Sequence, residues 1–285
     1  MRRLEHRCPR PTAASAFPPR RRASACSPTW SRRPPVARRP RILVVNDDGV
    51  HGEGLEPLLA ALSALGDTAA VVPERERSAD SHCLSLRSPL RVRRVRPGFF
   101  AVDGSPADCA RLGALELFRR PDLVVSGINR GFNLGSDVVY SGTVAGAMEG
   151  VILGVPALAV SRGSGRGDHC AAAAIAVRVC REILRRGLPS GVCLSLNVPA
   201  LPLKRIRGIR TTALGRRIYG RKVTLRKDPY GLPYYWLAGR YVSGHSDPGS
   251  DIAAIREGFA SLTPLHVDTT HRATLPHLRR WKFTL

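Results

Sequence analysis

No run of about 20 apolar residues occurs in this 285-residue sequence, so nothing in it reads as a membrane-crossing helix. There is no CxxC either. The seven cysteines, at positions 8, 26, 83, 109, 170, 180 and 193, follow no regular spacing. That excludes a disulfide framework or a zinc site and fits reduced thiols in a cytosolic protein. The Walker pattern GxxxxGK[ST] is missing, which disfavours phosphate transfer from a nucleoside triphosphate. Lysine is scarce: four of the 45 basic residues, against 41 arginines, with only 22 acids to balance them.

The net charge of +23 invites a nucleic-acid reading, but its distribution argues for caution. Residues 1–41 hold twelve arginines and one acid, Glu5, a balance of +11. About half the excess therefore sits in a proline-rich leader, residues 1–40, which has no hydrophobic periodicity and is expected to be disordered. Three readings of it stay open: a basic arm for nucleic acid, an organellar transit peptide, or a start codon placed too far upstream. The arginine excess, which resembles a GC-rich coding bias, favours the last and a cytoplasmic protein.

From residue 41 apolar strands alternate with amphipathic helices. Ile42–Val45, Ala69–Val72, Leu123–Ser126, Ala157–Val160 and Val192–Asn197 read as strands, and 257–265 as a last strand-like stretch. Leu55–Leu65, Thr143–Gly154 and Ala171–Arg186 read as helices. Strands that are apolar throughout predict a mainly parallel sheet covered on both faces, a Rossmann-like three-layer α/β/α sandwich over 41–275. Residues 204–245 break the alternation; basic, aromatic and turn-punctuated, they predict a β-hairpin excursion. Residues 276–285 form a short tail.

In such sheets ligands bind beyond the carboxyl ends of the strands. Four polar clusters fall there. Asp47 and Asp48 follow the first strand, where adjacent like charges call for a cation or a proton. Ser78 follows the second strand, and Asn129 and Asn133 the third. "YSGT" (140–143) opens a helix, whose N–H groups and hydroxyls suit a phosphate. Carboxylates, an amide oxygen and a hydroxyl are hard donors, suited to Mg²⁺, Mn²⁺ or Ca²⁺. A hard cation beside a phosphate cradle points to phosphate-ester hydrolysis. Each piece alone has a plainer account: Asp47 as a helix cap, Asp48-Gly49 as a turn, Ser78 as a loop serine, Ser141 or Thr143 as a cap. His51 and His82 read as solvent-facing loop residues. The argument lies in the convergence.

Six segments run in order across about 41–270: "ILVVNDDGVHGEGL", "VVPERERSADSHCLSL", "DGSPADCARLG", "PDLVVSGINRGFNLGSDVVYSGTVAGAMEG", "LSLNVP" and "SDIAAIREGFASLTPLHVDTT". Together they resemble the SurE family, the survival-protein-E 5′/3′-nucleotidases. The resemblance implies a nucleotidase acting on nucleoside 5′- and 3′-monophosphates with one divalent cation, Mg²⁺ or Mn²⁺, per subunit. It implies Asp47, Asp48, Ser78 and Asn129 as metal ligands, with Asp47 or Asp48 assisting as base. Asn46, Asn133, Ser141, Gly142 and Thr143 would then lie by the phosphate or substrate. A hairpin and C-terminal segment exchanged between subunits imply a homodimer or homotetramer, and the aromatic residues of 216–245 agree with a covered surface. Nucleic acid is the alternative partner, through the leader and hairpin. Ala79 stands where the family usually has glycine, with Asp80 beside it. If that position needs a positive φ, alanine costs roughly 1 kcal/mol.

Overall fold

A computed structural model of the chain describes residues 38–283 apart from 166, 168, 221–222, 238–240 and 246, so nearly all of the expected leader lies outside the described residues. The chain begins with β1 (Arg41–Val45), α1 (Leu55–Leu62), β2 (Asp67–Pro73), β3 (Val92–Arg96) and β4 (Phe99–Val102). Next come α2 (Pro106–Leu112), β5 (Leu123–Arg130), α3 (Gly142–Ile152), β6 (Ala157–Arg162), α4 (Cys170–Arg186) and β7 (Val192–Val198). Five short strands follow: β8 (Ile209–Thr211), β9 (Arg216–Tyr219), β10 (Thr224–Lys227), β11 (Pro233–Trp236) and β12 (Tyr241–His245). The last elements are α5 (Asp251–Arg256), β13 (Ala260–His266) and α6 (Leu275–Leu278).

Nine strands form one sheet in the order β3-β4-β2-β1-β5-β6-β7-β13-β8. The six from β4 to β7 are parallel neighbours, while β3 and β13 run antiparallel to β4 and β7. Side chains alternate across a strand, and β1 shows why its sequence is apolar throughout. Ile42 and Val44 enter one core with Leu55, Leu58 and Leu62 of α1 and Ile175, Val179 and Ile183 of α4. Leu43 and Val45 enter the other, with Cys109 and Ala110 of α2 and Val144 and Ala147 of α3. Both faces are buried, and truncating a side chain such as Leu58 to alanine would cost about 2–5 kcal/mol. The expected three-layer α/β/α architecture is the observed one.

Helix α1 ends at Leu62, three residues before the expected Leu65. The chain turns there, with Gly66 N–H on the Leu62 carbonyl and Asp67 N–H on the Pro40 carbonyl, to start β2 beside β1. The 204–245 excursion is longer than a simple hairpin. Its first strand, β8, joins the main sheet, after which β9 pairs with β12 and β10 with β11 as two nested ladders. Asp251, fully buried at the start of α5, accepts from Gly135 N–H and Gly215 N–H and so ties the root of this hairpin to the turn before α3. The five described cysteines are free thiols.

Candidate active site

The paired carboxylates sit where β1 runs out, opposite the first turn of α3. Asp47 is 4 % exposed and points at that helix. Its Oδ1 accepts from Thr143 Oγ1 at 2.6 Å and its Oδ2 from Thr143 N–H at 3.1 Å. The contact needs Gly142: a Cβ there would lie 2.9 Å from Asp47 Cβ and 3.2 Å from its Oδ2. Burial pushes the Asp47 carboxyl above its ordinary range, and the Thr143 bonds pull the other way. Ser141 caps α3 by accepting Val144 N–H at 3.1 Å.

Asp48 is half-buried and is pushed up to about 6, first by burial and then by the Asp47 charge. The backbone N–H of Arg130 favours its ionised form, whereas Glu76 and Glu53 raise it further. Asn46, 1 % exposed, closes the turn by donating Nδ2 to the Gly49 carbonyl at 2.9 Å. Its Oδ1 is buried with no hydrogen-bond partner. Gly49, at φ +79°, packs against the loop after β2, and Arg77 N–H reaches the Asp47 carbonyl at 2.7 Å. The ends of β1 and β2 are thus laced together.

Ser78 lies on that second loop, exposed, with its hydroxyl donating to Glu76 Oε1 at 2.7 Å. Ala79 has φ +63° and Ser81 φ +54°, so the position where glycine was expected does take the left-handed conformation. Asp80 faces Arg77 at 3.7 Å. Ser81 bonds the Tyr140 and Val139 carbonyls, at 3.2 and 2.8 Å, and Ser85 bonds Asp108 through both its N–H and its hydroxyl. Asp108 also closes a capping box with Ser105 at the start of α2.

Asn129 is half-buried at the end of β5, past a slip in the β5–β6 register, and donates Nδ2 to the Gly131 carbonyl at 3.1 Å. Asn133 is buried and engaged with the neighbouring strands: its N–H bonds Asn197 Oδ1 and its Nδ2 bonds Ser161 Oγ at 2.8 Å. The ends of β1, β2 and β5 and the start of α3 therefore gather at one sheet edge. Two features there were not foreseen. Glu76 adds a third carboxylate. His82 is half-buried, its Nε2 2.9 Å from Glu149 Oε2, where a solvent-facing ring was expected.

Among the described residues no three His, Cys, Asp or Glu side chains are grouped to hold a metal ion. The donors here are of another kind: two carboxylates raised first by burial and further by neighbouring carboxylates, an orphaned amide oxygen, a hydroxyl and a second amide. All are hard oxygens, and the crowded negative charge suits a divalent cation.

The sequence model of the family described as "Survival protein SurE" matches residues 42–221. Among curated proteins, the chain is 48 % identical over 246 residues to the 5'-nucleotidase SurE of Geobacter metallireducens, covering 85 % of this chain and 98 % of that one. It is also 48 % identical over 250 residues to the 5'-nucleotidase SurE of Chloroflexus aggregans, covering 85 % and 99 %. Among solved structures, the SurE protein of Aquifex aeolicus superposes with a TM-score of 0.76 at 41 % identity, covering 84 % of this chain and 98 % of that chain.

Proposed function

Because the chain belongs to the SurE family, we propose that it is a metal-dependent 5′-nucleotidase that hydrolyses nucleoside monophosphates to nucleoside and inorganic phosphate. The observation that carries this reading is Asp47 held by the first turn of α3 with Asp48 beside it, in a chain 48 % identical to curated proteins of that name. Asp47, Asp48, Ser78 and Asn129 would hold one Mg²⁺ or Mn²⁺. When bound, that cation supplies Lewis-acid polarisation of the phosphoryl group and makes a nearby water more acidic.

The chain's own groups divide the remaining work. Of the first three N–H donors of α3, Thr143 serves Asp47 and Val144 serves Ser141, leaving Gly142 N–H and the positive end of the helix dipole to face a phosphate oxygen. Two Thr143 donors hold Asp47, whereas Asp48 is less buried and free of that clamp, so Asp48 is the better placed to accept a proton from the attacking water. The water oxygen bonds to phosphorus, the P–O ester bond breaks, and the departing nucleoside oxygen takes up a proton. Asn46 and Asn133 act mainly by fixing the turns that carry these groups. The catalytic unit spans 41–275, works in the cytoplasm as a homodimer or homotetramer, and uses its basic hairpin to draw in anionic nucleotides.

The test is a panel of nucleoside 5′- and 3′-monophosphates, polyphosphate and an aryl phosphate, assayed with Mg²⁺, with Mn²⁺ and with EDTA. Cation-dependent release of phosphate from the monophosphates is expected. Undiminished hydrolysis in EDTA, or none under any condition, would defeat the reading.

A further inference from the structure

Glu149 lies on α3, six residues beyond Thr143, and is 1 % exposed. A carboxylate that deep is unfavourable unless it is paired. Two basic side chains reach it from two different elements. His82 Nε2, from the Ser78 loop, is 2.9 Å from Oε2, and the ring can donate from Nε2 whether it is neutral or cationic. Arg111 Nη2, from the last turn of α2, is 2.7 Å from Oε1 in an ion-pair contact. Both partners are partly exposed, so Glu149 is the buried hub of the trio. The reaction proposed above makes no direct use of it.

What the trio does touch is the Ser78 loop. That loop carries two non-glycine residues in the left-handed region, Ala79 and Ser81, a conformation that persists only where the surroundings impose it. Ser81 ties it to the segment before α3, and Ser85 ties its far end to Asp108 at the start of α2. His82 lies between these ties and fixes the loop to the side of α3 itself. The first turn of the same helix holds Asp47. One rigid helix thus carries the anchors of two of the four expected metal ligands.

We infer that Glu149, with Arg111 as its counter-charge, positions the Ser78 loop through His82, so that the trio sets how tightly the site holds its cation and not how fast the ester is cleaved. The inference rests on the metal-dependent reading given above. Residues that orient a metal's ligands from behind change affinity by about 10- to 100-fold when removed. His82 acts in that way, as a positioning residue and not as a ligand.

Mn²⁺ is titrated calorimetrically into metal-free full-length protein, for wild type, His82→Ala and His82→Gln, and each metal-free protein is melted thermally. His82→Ala is expected to weaken Mn²⁺ binding about 10-fold. His82→Gln, whose amide N–H can reach Glu149, should restore most of that loss. The metal-free melting temperatures should stay close together, and turnover should recover at saturating Mn²⁺. Wild-type affinity in His82→Ala would overturn the inference. So would a loss of affinity that glutamine fails to restore, or one that simply follows a fall in melting temperature. If wild type itself takes up no Mn²⁺, the metal-dependent reading fails first and the inference falls with it.

Discussion

Replacing Asp48 with asparagine should make the metal-free protein more stable while removing its activity. The Asp48 carboxyl is raised from 3.8 to about 6 in the folded chain, so its ionised form is disfavoured by folding. The shift corresponds to at most about 3 kcal/mol, and partial exposure reduces that to about 1–2 kcal/mol. The sign follows from linkage. Below the unfolded value of 3.8 the carboxyl is protonated in both states and costs nothing. The penalty grows as pH rises from that unfolded value to the folded value of about 6 and is constant above it. Asparagine keeps the shape and drops the charge. In EDTA the variant should therefore melt roughly 2–8 °C above wild type at about pH 7.5, with the gap closing toward about pH 4. Added Mn²⁺ should raise the wild-type melting temperature and leave the variant almost unmoved. An Asp48→Asn protein that is less stable at neutral pH, or whose gain is flat with pH, would refute this account of the carboxylate pair. Wild-type turnover in the variant would refute its catalytic role.

Gly142→Ala should push its new methyl into Asp47, costing about 1–3 kcal/mol in denaturant unfolding and about 100-fold in turnover; near-normal kinetics would show that Asp47 need not touch α3. Ala79→Gly should relieve the left-handed strain at φ +63° and stabilise by about 0.5–1 kcal/mol. An unchanged or lower melting temperature would show that alanine sits there at no cost. Tyr230 is 90 % and Trp236 58 % exposed on the hairpin, so light scattering should find a dimer or larger species, weakened by Tyr235→Ser with Trp236→Ser. A compact, fully active monomer at micromolar concentration would end that idea.

The central strands were legible because both faces of each are buried, which leaves an unbroken apolar run. β3 was not: "VRRVR" has every residue exposed, so its only structural signal is the pairing with β4, which lies outside its own sequence. α2 was missed although Ser105, Pro106 and Asp108 make a capping box with proline at its first position; seven residues are too few for periodicity to register. At the site, Asp47, Asp48 and the α3 start could be read because each directly follows or opens a regular element. Glu76 could not be singled out within "PERERSAD", where charge alternates and only folding decides which carboxylate comes close enough to act on Asp47 and Asp48. His82 and Glu149 are 67 residues apart, and no local pattern announces their meeting.

The two ends of the nine-stranded sheet carry a further meaning. Its β3 edge displays Arg93 and Arg96, held by Glu74 at 3.3 Å and Glu56 at 2.6 Å, and its β8 edge is only three residues long. Exposed strand edges recruit other strands and seed aggregates, and fixed charge or brevity blocks that growth. A chain with so large an apolar sheet and so few acids thus keeps its solubility in a crowded cell at its borders. Sequence drift along "VRRVR" should show first as inclusion bodies, well before any loss of turnover in the molecules that fold.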